Sequence, residues 1–310
     1  MKKVTVVGAG FVGTTCAQRI VEKDLADVIL IDIVEGLAQG KALDMMESAP
    51  LEGFKAKIRG TNDYCDTENS DVVVITAGLS RKPGMSRDDL LKANAKIIRD
   101  SVIKIVKASP EAILIIVTNP LDVMSYLAYK VSRFPPEKVI GMAGVLDSAR
   151  YRYFIAEELN KHPCEIEAII LGGHGDSMVP LPRYAKSKGV PITQLIDIKK
   201  IEEINERARK GGAEIVSLLK TGSAYYAPSA SVVQMLKSIL LDEKEVLPCS
   251  VYLRGEYGID GVYCGVPVKL SRKGVQKIIE LELSDDERES LRASSDQVKK
   301  NIKKIRDIIG

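Results

Sequence analysis

Short runs in which nearly every residue is apolar recur through the first half of the chain, at 3–7, 27–31, 71–76, 113–117 and about 138–140, with helical spacing between them. Strands apolar at almost every position are covered on both faces, so the pattern predicts a parallel sheet flanked by helices, a doubly wound α/β domain. The second half reads differently. Helical patterns fall near 147–161, 199–220 and 228–241, and strand-like runs near 165–171, 246–253 and 262–268, which predicts an α+β domain. Within 199–220, Ile201, Ile204, Ala208, Ile215 and Leu219 fall on one stripe. A last helix opens at the capping box Ser284-Asp285-Asp286-Glu287 and carries Leu291, Val298, Ile302, Ile305 and Ile309 on one side. The change of pattern divides the chain into 1–143 and 144–310.

Three hundred and ten residues are long for one core, in keeping with two domains. A formal charge of +3 from 45 basic and 42 acidic residues, scattered rather than blocked, gives no nucleic-acid footprint. The basic run Lys299-Lys300-Asn301-Ile302-Lys303-Lys304 fits the solvated face of the final helix. No apolar stretch approaches the ~20 residues of a membrane span, and the first residues enter a strand directly, so neither a membrane segment nor a signal peptide is expected. Cys16, Cys65, Cys164, Cys249 and Cys264 are odd in number and widely spaced, without Cys-x-x-Cys; this argues against a disulfide scaffold and a zinc site, no metal is expected, and the expected location is cytoplasmic.

The first strand runs into Gly8-Ala9-Gly10-Phe11-Val12-Gly13 and then a helix. Such glycines supply a tight turn, close backbone approach to a pyrophosphate and free N–H groups at a helix start. Asp32 ends the second apolar run, where an acid would bind the adenosine ribose hydroxyls. An acid there repels a 2′-phosphate, and no arginine follows in Ile33-Val34-Glu35-Gly36, so NAD is favoured over NADP. The same glycines also serve as a plain turn or as a methyltransferase loop; the coincidence of strand, glycines and acid favours a dinucleotide.

Ligands of open α/β sheets bind outside the carboxyl ends of the strands. At those ends stand a loop with Arg81 and Arg87, the run Thr118-Asn119-Pro120, and Asp147-Ser148-Ala149-Arg150, where acid and arginine share a helix face. Gly173-His174-Gly175-Asp176-Ser177 offers one of only two histidines. Singly, each feature has a structural reading: solvated arginines, a turn-capping Asn119, an Asp147–Arg150 pair. The second histidine, His162, is read as a helix-end residue without catalytic part.

Taken in order, these motifs resemble the lactate and malate dehydrogenase family, from Lys2 to the final helix, and within it the malate dehydrogenases built on the lactate dehydrogenase plan. The resemblance implies a dehydrogenase of the tricarboxylic acid cycle that interconverts (S)-malate and oxaloacetate with NAD. It makes His174 the proton acceptor and donor, Asp147 its orienting carboxylate, Arg150 the clamp on the C1 carboxylate, and Arg87 and Asn119 the groups at the C2 oxygen. It assigns Gly8 to Gly13, Asp32, Asn94, Val117, Thr118 and Asn119 to the cofactor, suggests a cis Asn119–Pro120 bond, and makes the Gly84 loop a lid. Arg81 would meet a second substrate carboxylate, where lactate enzymes usually carry glutamine; Ala224 agrees, since lactate enzymes tend to carry threonine there. A homo-oligomer is implied, a tetramer built as a dimer of dimers or a dimer. The rival readings are a lactate dehydrogenase, an NAD-dependent glycosidase, and a non-enzymatic dinucleotide-binding protein.

Overall fold

The computed structural model of the chain describes residues 1–79 and 85–309. Strands β1 (Lys3–Val7), β2 (Asp27–Ile31), β3 (Ile58–Thr61), β4 (Val72–Ile75), β5 (Ile113–Ile116) and β6 (Val139–Gly141) pair in parallel, in the order β3-β2-β1-β4-β5-β6. Between them run α1 (Phe11–Glu22), α2 (Leu37–Glu52), α3 (Arg87–Ala108) and α4 (Leu121–Ser132). All four residues of β4 and of β5 are buried, the state their unbroken apolar composition requires. Each such Val or Ile contributes about 1.5–3 kcal/mol by leaving water. β3 was missed by pattern because Ile58-Arg59-Gly60-Thr61 has a polar, glycine-bearing edge composition.

After α5 (Gly144–Glu158) come five two-residue strands: β7 (Ile166–Glu167), β8 (Ile170–Leu171), β9 (Val179–Pro180), β10 (Lys186–Ser187) and β11 (Val190–Pro191). The expected strand at 165–171 is therefore two short ones in different sheets. Helices α6 (Ile198–Leu219) and α7 (Tyr226–Leu240) precede β12 (Val246–Arg254), β13 (Asp260–Ser271) and β14 (Gly274–Ile278). These three antiparallel strands do not form a separate sheet. β12 pairs with β6 through Ser250 and Gly141, so a nine-stranded sheet runs across both halves of the chain.

The final helix divides into α8 (Asp285–Lys303), opened by the Ser284–Glu287 capping box, and α9 (Arg306–Ile309). Leu291, Val298, Ile302 and Ile305 are buried in the main core, as their spacing predicts. The α6 stripe behaves differently along its length: Ile201, Ile204 and Ala208 are buried against α5, whereas Ile215 is half-buried and Leu219 exposed. His162 follows α5 rather than ending it, and its Nδ1 caps a 3₁₀ turn by accepting from the Cys164 N–H at 3.3 Å.

Candidate active site at the switch point of the sheet

The strand order reverses between β1 and β4, and the loops leaving these two strands face each other there. Gly8 has φ +102°, a left-handed conformation suited to glycine, and a Cβ on it would lie 2.8 Å from the Ala77 nitrogen. A Cβ on Gly13 would stand 1.9 Å from the Gly8 oxygen, so α1 can pack against the strand end only without one. Around Gly10 there is no atom within 4 Å of such a Cβ: the space above the helix start is open. The first turn of α1 holds no acid, leaving its N–H groups and dipole to an anion.

Asp32, at the end of β2, accepts from the Ala9 N–H at 2.7 Å and the Val34 N–H at 3.0 Å, which places its carboxylate beside the glycine turn. Ile33 beside it is 90% exposed, an apolar surface next to an acid. Open space at Gly10, a free helix start and a carboxylate one strand away fit a dinucleotide. Lys41 is a further residue of this turn: from α2 its ammonium reaches the Ala9 oxygen at 2.7 Å and Thr14 Oγ1 at 3.3 Å, bringing a cation to it. Only its helical position placed it there, and no motif marked it.

From this turn a cavity of about 470 Å³ runs to the second half of the chain, lined among others by Thr76, Gly78, Thr118, Asn119, Arg150, His174 and Ala224. Asp147 lies in the first turn of α5 and Arg150 one turn on. Asp147, 2% exposed, meets His174 Nδ1 at 2.9 Å. That contact puts the proton on Nδ1 in the neutral ring and leaves Nε2 as the basic nitrogen. Burial disfavours the charged ring, but the Asp147 carboxylate, helped by Asp122 and opposed by Arg150, outweighs it, so the His174 pKa stands above the ordinary imidazole value.

Arg150 stands 4.0 Å from Asp147 Oδ1 and is 13% exposed. Burial lowers its pKa, with Asp147 opposing, yet a guanidinium stays charged at neutral pH. Its Nε has no hydrogen-bond partner, and neither does Asp147 Oδ1. A guanidinium beside a cavity with its Nε donor unmet has the chemistry to take a carboxylate. Space for it comes from Gly211 and Gly212 of α6, where added Cβ atoms would lie 3.2 Å from Arg150 Cδ and 3.7 Å from Nη1. That pair escaped the sequence reading, since a Gly-Gly step inside a helix reads as a defect until its neighbour is known.

Val117 and Thr118 are buried, Thr118 Oγ1 donating to the Ala77 oxygen at 2.7 Å, while Asn119 is exposed at the cavity and its bond to Pro120 is cis. Asn94 is buried, and its amide is taken up within the protein: Nδ2 donates to the Asn119 oxygen at 2.8 Å and Oδ1 accepts from the Leu79 N–H at 2.8 Å. It ties the two loops together. Arg87 opens α3 but does not line the cavity; it lies 3.9 Å from Asp176, both 83% exposed. Arg81 and Gly84 lie outside the described residues. Among the described residues no group of three or more His, Cys, Asp or Glu is gathered to hold a metal ion, and no helix is long and apolar enough to cross a membrane.

Fold and site together define a protein of the dinucleotide-binding class, with a buried histidine–aspartate pair and an arginine beside one cavity. Residues 2–141 match the NAD binding domain of the lactate/malate dehydrogenases, and residues 144–309 their alpha/beta C-terminal domain. The chain belongs to the lactate/malate dehydrogenase family. It is 55% identical to a malate dehydrogenase of Chlorobium luteolum over 309 residues, 99% of this chain and 100% of that one. The solved malate dehydrogenase of Salinibacter ruber is 50% identical, with a TM-score of 0.94 over 99% of this chain and 98% of that one. A lactate dehydrogenase of Cryptosporidium parvum, solved with lactic acid and nicotinamide adenine dinucleotide, is 43% identical, with a TM-score of 0.94 over 97% of each chain.

Proposed function

We propose that this protein is an NAD-dependent oxidoreductase that interconverts (S)-malate and oxaloacetate. When bound, NAD supplies the acceptor for the C2 hydride, so that (S)-malate and NAD⁺ give oxaloacetate, NADH and a proton. The observation that carries the reading is the Asp147–His174 contact at 2.9 Å, opening on a cavity shared with Arg150. His174 Nε2 takes the hydroxyl proton of malate and returns it to the C2 oxygen of oxaloacetate. Asp147 holds the ring's orientation and stabilises the imidazolium. Arg150 grips the C1 carboxylate through two parallel hydrogen bonds, a geometry that lysine cannot supply.

Arg87 leaves Asp176 to meet the C2 oxygen when the loop preceding it closes and excludes water, and Asn119 orients that oxygen. Asp32 and the Gly8–Gly13 turn hold the cofactor's adenosine and pyrophosphate, and the acid favours NAD over NADP. Substrate choice falls to Arg81, whose guanidinium requires a second carboxylate that oxaloacetate has and pyruvate lacks. The names of the relatives support malate, since the fold itself is shared equally with a lactate enzyme.

We further read the chain as two functional domains, 1–143 for the dinucleotide and 144–310 for the substrate, acting in the cytoplasm in the tricarboxylic acid cycle. A homo-oligomer, dimer or dimer of dimers, is supported by Leu218, Leu219 and Tyr226 standing exposed on α6 and α7. The test is kcat/KM for NADH oxidation with oxaloacetate and with pyruvate, on wild type and Arg81→Gln. The reading expects at least a hundredfold preference for oxaloacetate in wild type, collapsing by about 10²-fold or more in the variant. Preference for pyruvate would make the protein a lactate dehydrogenase, and turnover of neither would overturn the enzymatic reading.

A further inference from the structure

Besides Asp147, a second buried carboxylate serves the His174 loop. Asp122, 4% exposed in the first turn of α4, accepts from the backbone N–H of His174 at 2.8 Å through Oδ2. Its other oxygen accepts from the Ser250 hydroxyl of β12 at 2.6 Å. A Cβ on Gly173 would lie 3.3 Å from Asp122 Oδ2, so the loop backbone is packed directly onto this carboxylate. Neither partner is an arginine, lysine or metal. A buried carboxylate with two neutral donors is costly as a structural device, and an asparagine could accept from the His174 N–H and donate to the Ser250 hydroxyl oxygen without the charge.

The placement gives the cost a purpose. His174 is faced from α5 by Asp147 and Arg150 and from α4 by Asp122; β13 contributes Cys264, a buried thiol near Asp122, and α8 the neutral Ser294, which accepts from Gly173 N–H at 2.8 Å. We propose that Asp122 is a positioning residue for His174: held by Ser250, its carboxylate fixes the backbone on which the ring is mounted and adds a second buried negative charge beside it. The inference rests on the reading of His174 as the proton-transfer group. Burial raises the Asp122 pKa, and the Ser250 hydroxyl and the His174 N–H oppose that rise, so each of these two donors favours the carboxylate form. An ionised Asp122 favours the imidazolium that forms as malate loses its proton, in concert with Asp147.

The test uses the only two histidines as reporters, in full-length protein carrying ¹³C at the histidine ring Cε1, with His162→Gln to assign the signals. In Asp122→Asn the amide can still accept from His174 N–H and donate to Ser250, so contacts persist while the charge is lost. The expected result is a His174 titration midpoint lower by about 0.5 unit or more, with the acid limb of kcat/KM for malate oxidation moving down equally. Ser250→Ala, which removes a donor that favours the Asp122 carboxylate, moves the midpoint the same way by less. A folded Asp122→Asn with an unmoved midpoint overturns the inference; if that variant does not fold, an unmoved midpoint in Ser250→Ala does so. Malate turnover by wild type, read in the same preparations, separates the two claims: its absence sinks the functional reading, whereas an unmoved midpoint in an active enzyme sinks only the role of Asp122.

Discussion

In the Gly8–Gly13 turn, restraint comes from close at hand: a Gly8 oxygen leaving no room for a Cβ five residues on, and an Asp32 carboxylate from the adjacent strand. The Gly172–Ser177 loop is held from far away in the chain. Gly172 bridges to Gly265 of β13, Gly173 donates to Ser294 of α8, His174 donates to Asp122 of α4, and its ring meets Asp147 of α5. The first loop is specified by sterics and offers exposed backbone; the second is specified by a polar network and presents one side chain. A binding loop tolerates no added atom at its closed glycines but has open space above. A proton-transfer loop depends on partners whose loss shifts a pKa or a few tenths of an ångström.

The largest effect expected on the polar side is from Asp147→Asn. With tautomer control and the imidazolium's counter-charge gone, kcat should fall by on the order of 10²–10⁴ while NADH binding stays unchanged. The wild-type pH profile sharpens this. Because carboxylates raise the His174 pKa, malate oxidation, which needs the neutral ring, should be lost as pH falls through a limb above about 6.5. Oxaloacetate reduction, which needs the charged ring, should be lost as pH rises through it, and Asp147→Asn should move both limbs down.

On the steric side, Gly13→Ala should destabilise the fold by about 1–3 kcal/mol and abolish tight NADH binding, as read by thermal melts and fluorescence titration. Gly10→Ala, with open space around it, should melt like wild type and lose NADH affinity alone. Equal melting losses in the two variants would erase the distinction between closed and open glycines. The smallest effect on turnover belongs to Ser294→Ala, which orphans the Gly173 N–H and removes a partner of Ser177. It should cost about 1–3 kcal/mol in stability and a several-fold loss in kcat, with KM for NADH unaltered.

What was legible in the sequence follows the same division. Val72 to Ile75 and Ile113 to Ile116, and Val4 to Val7 with only Thr5 interrupting, announced buried parallel strands because a nearly unbroken apolar run has few other uses, and the glycine turn was readable because its restraint is local. In the second half the patterns carried the long helices and the main strands, but not that β12 joins β6 to extend the same sheet; a single pairing at Ser250 decides that, and no periodicity encodes it. Asp122 lay in plain view two residues after Pro120, yet its partners are 52 and 128 residues away. Gly211 and Gly212 look like helix weaknesses until Arg150 is placed against them. Arg87, by contrast, was named for a role at the C2 oxygen but stands beside Asp176 at the surface, outside the cavity.

The division of labour between the two loops is tested most directly by His174→Asn, titrated with NADH and assayed for oxaloacetate reduction in the same preparation. The account predicts an NADH Kd within about twofold of wild type and a kcat lower by on the order of 10³ or more. Turnover near the wild-type rate, or loss of NADH binding in step with loss of turnover, would contradict it.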